Sequence, residues 1–405
     1  MVRPGGGSAL PGLIVSKLAP NLLASTWRQF PLGVVVVTGS AGKSSTTKML
    51  VAIARAHGLA VFTNPSTANI RQGFFASIIE QSNLRGQVPG DIAILEMDEG
   101  HAASILSNAS ARLVTILNVT EDQLDRFIDP AFVRDTLLKV AHSATEGVIL
   151  NADDQNTLLL AQAGGADLAP ISYFGFAPEV IAGRYLGFAP TYLPAVATPT
   201  SSLRVVSVEG QQVSVELGGN RARFTMPNRG LHYVADAAAA LETAQRLFGS
   251  DFNLELAAET IAALPPVFAR GEITKIRDLE VELVLVQNPA SFQLNLDCLD
   301  ENLDRVMVAI GRDVHDPSWL WTVDYTKLNR VAVVSGYNAF EMALCFEYKG
   351  VETDFVSDDL EAALDRFLAL DAPKVGRRTI LLSADAMRRY RRMLGFISPD
   401  MVGAN

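Results

Sequence analysis

Apolar runs too short for helices alternate with amphipathic stretches through the first third of the chain. Val34–Val37 is a run of valines that suits a strand buried on both faces. Thr46–His57 follows with Met49, Leu50 and Ile53 on one helical face. The same rhythm gives a strand at Ala60–Thr63, a helix over Gly73–Gln81 and a strand at Ile92–Leu95. Leu113–Leu117 and Gly147–Leu150 read as further buried strands, separated by a helix near Ala131–Ser143. Strand and helix in alternation predict an α/β fold, a doubly wound and mainly parallel sheet.

From 166 to 226 the pattern changes to Pro, Gly and period-two alternation, and Leu203–Leu217 reads as a hairpin turning at Gly210. Helices are expected over Leu231–Phe248 and Leu254–Leu264, and Pro265-Pro266 marks a boundary. A second α/β unit follows. Its strands are expected at Glu282–Gln287, Arg305–Ile310, Arg330–Ser335 and Thr379–Ser383. Its helices are expected near Phe292–Asn302, Tyr337–Lys349 and Asp359–Leu370. The predicted organisation is an N-terminal arm (1–30), a larger central α/β domain (31–265, with 166–226 as an insertion) and a smaller C-terminal α/β domain (266–405).

Composition narrows the function. Hydrophobic residues are 49% and charged residues 19%, which is globular. A net charge of −10 argues against a nucleic-acid partner. The basic run Arg388-Arg389-Tyr390-Arg391-Arg392 is the exception and reads as the solvated face of a last helix. Two cysteines, Cys298 and Cys345, cannot build a disulfide framework or a four-thiolate metal site, which points to the cytoplasm. The apolar segment Leu10–Ala24 is interrupted by Pro11, Gly12, Lys17 and Pro20, so it reads as a packed arm and not as a span.

The candidate chemistry lies where the valine strand ends. Thr38-Gly39-Ser40-Ala41-Gly42-Lys43-Ser44-Ser45 places glycines, a lysine and hydroxyls between a strand and a helix N-terminus. Backbone N–H groups there would approach phosphate oxygens, Lys43 would reach the outer phosphates and Ser44 would ligate Mg²⁺. Glu96, Asp98 and Glu99 follow the Ile92 strand. Glu96 is placed to complete the Mg²⁺ shell, while Asp98 and Glu99 read equally well as solvated loop residues. Asn118 and the acids Asp122 and Asp125 follow the next strand; they would face the γ-phosphate or an acceptor carboxylate, or else cap a helix. Asn151, Asp153 and Asp154 would hold the ribose or adenine, or form a turn. In the second unit, Gly311–Trp321 gathers Asp313, His315, Asp316, Trp319 and Trp321 on one loop, either as an interaction or catalytic surface or as a plug for the core.

These motifs resemble the Mur ligase and folylpolyglutamate synthetase superfamily, and within it the MurT family. Thr38–Ser44 is similar to the T-G-T-N-G-K-T loop, and Asp122–Arg126 to R-D-Q-L-D-R-Y. Ala269–Glu272, Gln287–Ala290 and Asp316–Trp321 resemble G-R-G-E, K-N-P-A and D-x-S-W-x-W, and Gly5–Gly12 with Leu18–Leu23 resembles the N-terminal arm. The resemblance implies ATP and Mg²⁺ as cofactors, and phosphorylation of the D-glutamate α-carboxylate in the lipid II stem peptide. Ammonia from a separate GatD-like glutaminase would then give D-isoglutamine, at the inner face of the membrane through the substrate. It further implies nucleotide contacts from Asp236, Arg270 and Asn288. Lys43 would be catalytic, and Asp316, with Asp313 second, would complete the partner's Cys–His pair. Departures from the family pattern are Ala41, Glu121, Tyr233, Asp236 and Gln287, and the absence of cysteine from 166–226, which implies no zinc. The alternatives are a stand-alone Mur or folylpolyglutamate-type ligase, and a catalytically weakened nucleotide-binding scaffold for a glutaminase.

Overall fold

The computed structural model describes residues 14–15, 18–19, 22–64, 71–83, 86–120, 129–265 and 270–395, with the side chains of 71–72 and 270–272 excepted. Strands β1 (Val34–Thr38), β2 (Val61–Phe62), β3 (Ile92–Glu96), β4 (Ala111–Ile116), β5 (Ala144–Asn151) and β6 (Ile171–Phe176) form the parallel part of the first sheet. Strands β7 (Leu203–Glu209), β8 (Gln212–Leu217) and β9 (Asn220–Thr225) extend it to the order β2-β3-β1-β4-β5-β6-β7-β8-β9.

β1 lies between β3 and β4, parallel to both, with Val37 opposite Glu96 and Thr38 opposite Ile116. That register brings the residues after three strands to one edge, where ligands bind in open α/β sheets. All five residues of β1 and of β3 are buried, as a strand covered on both faces requires.

One face of this sheet is covered by the helices Lys43–Ala56 and Leu231–Phe248, whose Leu50, Ile53, Ala237, Ala240 and Leu241 are fully buried. Small alanines let the second helix lie close to the first. A side chain such as Leu50, wholly removed from water, contributes about 2 kcal/mol by its apolar area. The other face is covered by Phe74, Phe75, Leu137 and Val140.

The stretch 166–226 does not stand apart as an insertion. Its Ile171–Phe176 segment is β6 of the main sheet, β7 pairs parallel to it, and the expected hairpin gains a third strand through the Leu217–Asn220 turn. The helix Gln155–Gly164, not foreseen in the sequence, connects β5 to β6.

A second sheet runs β10 (Arg270–Ile276), β11 (Leu279–Leu285), β17 (Arg378–Leu382), β12 (Val306–Ala309), β14 (Val333–Ser335) and β16 (Val356–Ser357). β10 and β11 form an antiparallel hairpin turning at Arg277 and Asp278, whose φ values of 49° and 67° fit a primed turn. The other pairings are parallel. The strand expected over 330–335 divides at Ala332, because Arg330–Val331 (β13) pairs with Glu352–Thr353 (β15) in a separate ladder while β14 pairs with β12. No helix among the described residues is long and apolar enough to cross a membrane.

Candidate active site

The loop between β1 and the Lys43–Ala56 helix is closed by its own chain. Gly39 has φ 125° and its carbon lies against the Asn118 backbone, so a side chain there would meet the Asn118 carbonyl oxygen at 3.0 Å. Gly42 has φ 87° and is packed so tightly on Asp236 that an added methyl would overlap its Oδ1. Both positions therefore require glycine, for conformation and for space. The first turn of the helix holds no acidic residue, so nothing on it opposes an anion at its N-terminus.

Asn118 clamps the loop. Its Oδ1 accepts from the Ala41 amide at 2.9 Å, its Nδ2 donates to the Ala41 carbonyl at 3.2 Å, and its own carbonyl accepts from Ser40 N at 3.0 Å. The side-chain amide thus bonds the loop through both its oxygen and its nitrogen.

Ser44 Oγ donates to Glu96 Oε1 at 3.0 Å, and Glu96 is 4% exposed. The Glu96 backbone is held by Asn64, which accepts from its N–H at 3.0 Å and donates to its carbonyl at 3.1 Å. Lys43 Nζ donates to the Gly39 and Ser40 carbonyls and stands 3.4 Å from Glu99 Oε2. Glu99, read equally well as a solvated loop residue, is buried. Asp98 caps the Glu99–Leu106 helix, accepting from Gly100 N at 3.2 Å.

Thr38 is wholly buried at the end of β1, Ser45 is buried in the first helical turn, and Asp236 is buried on the Leu231–Phe248 helix. Asn288 approaches from the second unit. Its side chain accepts from Ser291 N at 2.7 Å as a helix cap, and it lines a cavity of about 70 Å³ with Ala41, Gly42, Asn118, His232 and Asp236. A larger cleft of about 1110 Å³ shares Leu231 and Leu294 with it and opens between Arg184, Arg229 and Lys327. Arg270 begins β10, and its side chain, like the whole of 121–128 with Asp122, Gln123, Asp125 and Arg126, lies outside the described residues.

Asn151 ends β5 and lines the same small cavity beside the loop, while Asp153 and Asp154 form the turn that follows. Asn151 donates to the Leu117 carbonyl at 3.0 Å and accepts from Asp153 N at 3.0 Å. Asp154 is fully buried, takes hydrogen bonds from Val119 N at 2.7 Å and Asn156 N at 2.9 Å, and burial pushes its carboxyl up to about 7. Burial likewise raises Asp153, which accepts from Phe176 N, to about 6.

In the second unit the two candidate aspartates part company. Asp313 Oδ1 accepts from the Ser383 hydroxyl at 2.6 Å, and that hydroxyl also accepts from Gly311 N at 2.7 Å, so Asp313 ties together the exits of β12 and β17. Asp316 is exposed and caps the 3₁₀ turn Pro317–Thr322, accepting from Ser318 N at 2.9 Å; hydrogen bonds from Ser318 hold it below the usual carboxylate range. Trp319 and Trp321 are half-buried against the core of this unit. His315 is exposed. Beside the turn, Tyr337 and the Ala339–Tyr348 helix turn an apolar ridge outward: Tyr337, Phe340, Leu344 and Tyr348 are each at least 60% exposed, at helical spacing. Trp321 packs edge-on against Tyr348 with ring centroids 5.5 Å apart, and Arg312 lies over the Tyr337 ring at 5.3 Å.

Comparison with known proteins gives the chain a family and a fold. Residues 37–244 match the Mur ligase middle domain, and residues 285–384 match the MurT ligase C-terminal model. The chain is 27% identical, over 97% of its length and 93% of the relative's, to the lipid II isoglutaminyl synthase (glutamine-hydrolyzing) subunit MurT of Streptococcus pneumoniae. Its fold is similar to a MurF ligase from Thermotoga maritima in complex with ADP (TM-score 0.67, 17% identity, 95% of this chain and 82% of that one). It is also similar to the Mycobacterium tuberculosis folylpolyglutamate synthase complexed with ADP and AMPPCP (TM-score 0.64, 18% identity, 96% of each chain). With its middle domain matched over more than half of its length and a MurT-type C-terminal region behind it, the chain belongs to the Mur ligase family as a MurT-like, ATP-dependent ligase.

Proposed function

We propose that the chain is the amidating subunit of a two-chain synthase. It uses ATP to phosphorylate the α-carboxylate of D-glutamate in the lipid II stem peptide, and ammonia displaces phosphate to leave D-isoglutamine. The observation that carries this reading is the Lys43, Ser44 and Glu96 grouping at the exit of β1, in a chain whose relative from Streptococcus pneumoniae is named for that synthase. Loop amides and Lys43 would hold the triphosphate and stabilise charge on the transferring phosphoryl group.

The residues fit Mg²⁺. Ser44 Oγ and Glu96 Oε1 are hard oxygen donors 3.0 Å apart. Neighbouring ligands in an octahedron with bonds of about 2.1 Å are separated by about 3 Å. Bound there, Mg²⁺ would polarise the phosphate oxygens. Thr38, Gly39, Ser40, Ala41, Gly42 and Ser45 complete the phosphate loop in this reading, with Asp236, Asn288 and Arg270 toward the nucleoside.

In this reading the ammonia is supplied by another chain. Hydrolysing glutamine by covalent catalysis calls for an activated nucleophile such as a thiolate. Burial pushes the thiols of Cys298 and Cys345, the chain's two cysteines, the other way. We assign that step to a GatD-like glutaminase docked on the ridge of Tyr337, Phe340, Leu344 and Tyr348. Asp316 at the ridge's edge would complete the partner's Cys–His pair, while Asp313 is committed to Ser383. Reconstitution tests the reading: chain, glutaminase, MgATP, glutamine and lipid II together should yield the amide by mass spectrometry. No amide with either glutamine or ammonium salt would refute it.

A further inference from the structure

Among the described residues, Glu99 is a carboxylate of the site that the triphosphate and the Ser44–Glu96 pair leave unassigned. It opens the Glu99–Leu106 helix directly after the Asp98 cap, and its side chain is 3% exposed. Its partner is the Lys43 ammonium at 3.4 Å, which also donates to the Gly39 and Ser40 carbonyls. A carboxylate buried this far is tolerated only beside a cation or strong donors. In the free protein that donor is a primary ammonium, an sp³ nitrogen carrying three protons.

A triphosphate in the loop draws the Lys43 charge to phosphate oxygens. The Glu99 carboxylate is then left at the transferring group with its counter-ion withdrawn, in a place that accepts an N–H donor. Glu96 cannot serve there, since its Oε1 is engaged by Ser44 and its backbone is pinned by Asn64.

Building on the ligase reading above, we propose that Glu99 is the base of the nitrogen-transfer step. Ammonia attacks the carbonyl carbon of the acyl phosphate, a C–N bond forms, and the nitrogen of the adduct becomes positive. Glu99 takes one N–H proton. The C–O bond to phosphate breaks with its electron pair leaving on phosphate, which collects the proton from Glu99. Acyl phosphate and ammonia thus give amide and hydrogen phosphate, and Glu99 returns to its ionised form. The Lys43 ammonium beside Glu99 in the free protein marks where the protonated nitrogen of the adduct sits in turnover.

The test uses Glu99→Gln and Glu99→Asp chains assembled with the glutaminase subunit, given MgATP and lipid II, with either ammonium chloride or hydroxylamine as nucleophile. The adduct of hydroxylamine is far more acidic and sheds its proton to water without a base. Glu99→Gln should lose on the order of 10²-fold in ammonia-dependent amidation, with part of it restored in Glu99→Asp. Hydroxamate formation and MgATP affinity should stay within about threefold of the unmodified chain. An equal fall with both nucleophiles, or loss of MgATP binding, would make Glu99 a residue that only positions Lys43 and would overturn the proposal, as would unchanged amidation. No hydroxamate from the unmodified chain would remove the acyl-phosphate reading itself, and the base with it.

Discussion

Glu96 ends a parallel strand of the first sheet and Asp316 follows one of the second, yet they stand in opposite states. Glu96 is buried, bonded to Ser44 and fixed through its backbone by Asn64. Among the described residues Asp316 is exposed and held by the turn it caps, next to an apolar ridge that those residues leave uncovered. The first environment is finished within one polypeptide: its lysine, hydroxyl and carboxylates already satisfy one another. The second presents a charge and large hydrophobic side chains to solvent together, the composition of an interface core with a polar rim. The contrast teaches that the Lys43–Ser44–Glu96 grouping is closed within this chain, while the Asp316 face fits the proposal of a second chain docking there.

The largest expected effect separates the two regions directly. Lys43→Ala should cut amidation on the order of 10³-fold while glutamine hydrolysis by the assembled complex continues, measured by parallel product assays. Asp316→Asn should do the reverse, lowering glutamine hydrolysis about 10²-fold with MgATP affinity and ammonium-driven amidation retained. Normal glutamine hydrolysis in that variant would remove the assignment. Replacing Phe340 and Leu344 together by Ser should weaken binding of the glutaminase about tenfold or more in titration calorimetry and leave the thermal midpoint of the isolated chain unchanged. An unaltered affinity would move the partner off the ridge.

The smallest effect extends the contrast to a buried acid that has no role in the proposed chemistry. Burial raises Glu242, on the Leu231–Phe248 helix, from 4.5 to about 7. Between these values the folded chain binds more protons than the unfolded one, so stability falls as pH rises through that window. Glu242→Gln should therefore raise the melting temperature more at pH 8 than at pH 5, with a ceiling of about 3 kcal/mol. An equal change at both pH values would contradict the assignment.

The phosphate loop is legible in the sequence because all of its parts fall within eight residues between a valine strand and an amphipathic helix. Glu96 is legible for a similar reason, since it ends a buried strand that belongs beside β1. Asn118 and Glu99 are present in the sequence, but their tasks are not. Asn118 reaches Ala41 across 77 positions and Glu99 reaches Lys43 across 56, through the parallel register of β4 and β3 against β1. Strand β10 escaped because its Arg270-Gly271-Glu272 start is polar and glycine-broken, and β6 because Gly175 and the surrounding prolines give that stretch the texture of a loop. The Asp316 loop was legible as a polar and aromatic cluster. The resemblance ranks Asp316 ahead of Asp313, and the structure adds the physical difference: Asp313 is bonded to Ser383 and Asp316 is exposed.

Phosphorylation of the acceptor is best tested by following an oxygen atom. With lipid II labelled with ¹⁸O in the D-glutamate α-carboxylate, supplied with MgATP and ammonium salt, activation through an acyl phosphate carries one labelled oxygen into the released phosphate. Amide formation with unlabelled phosphate would contradict the account.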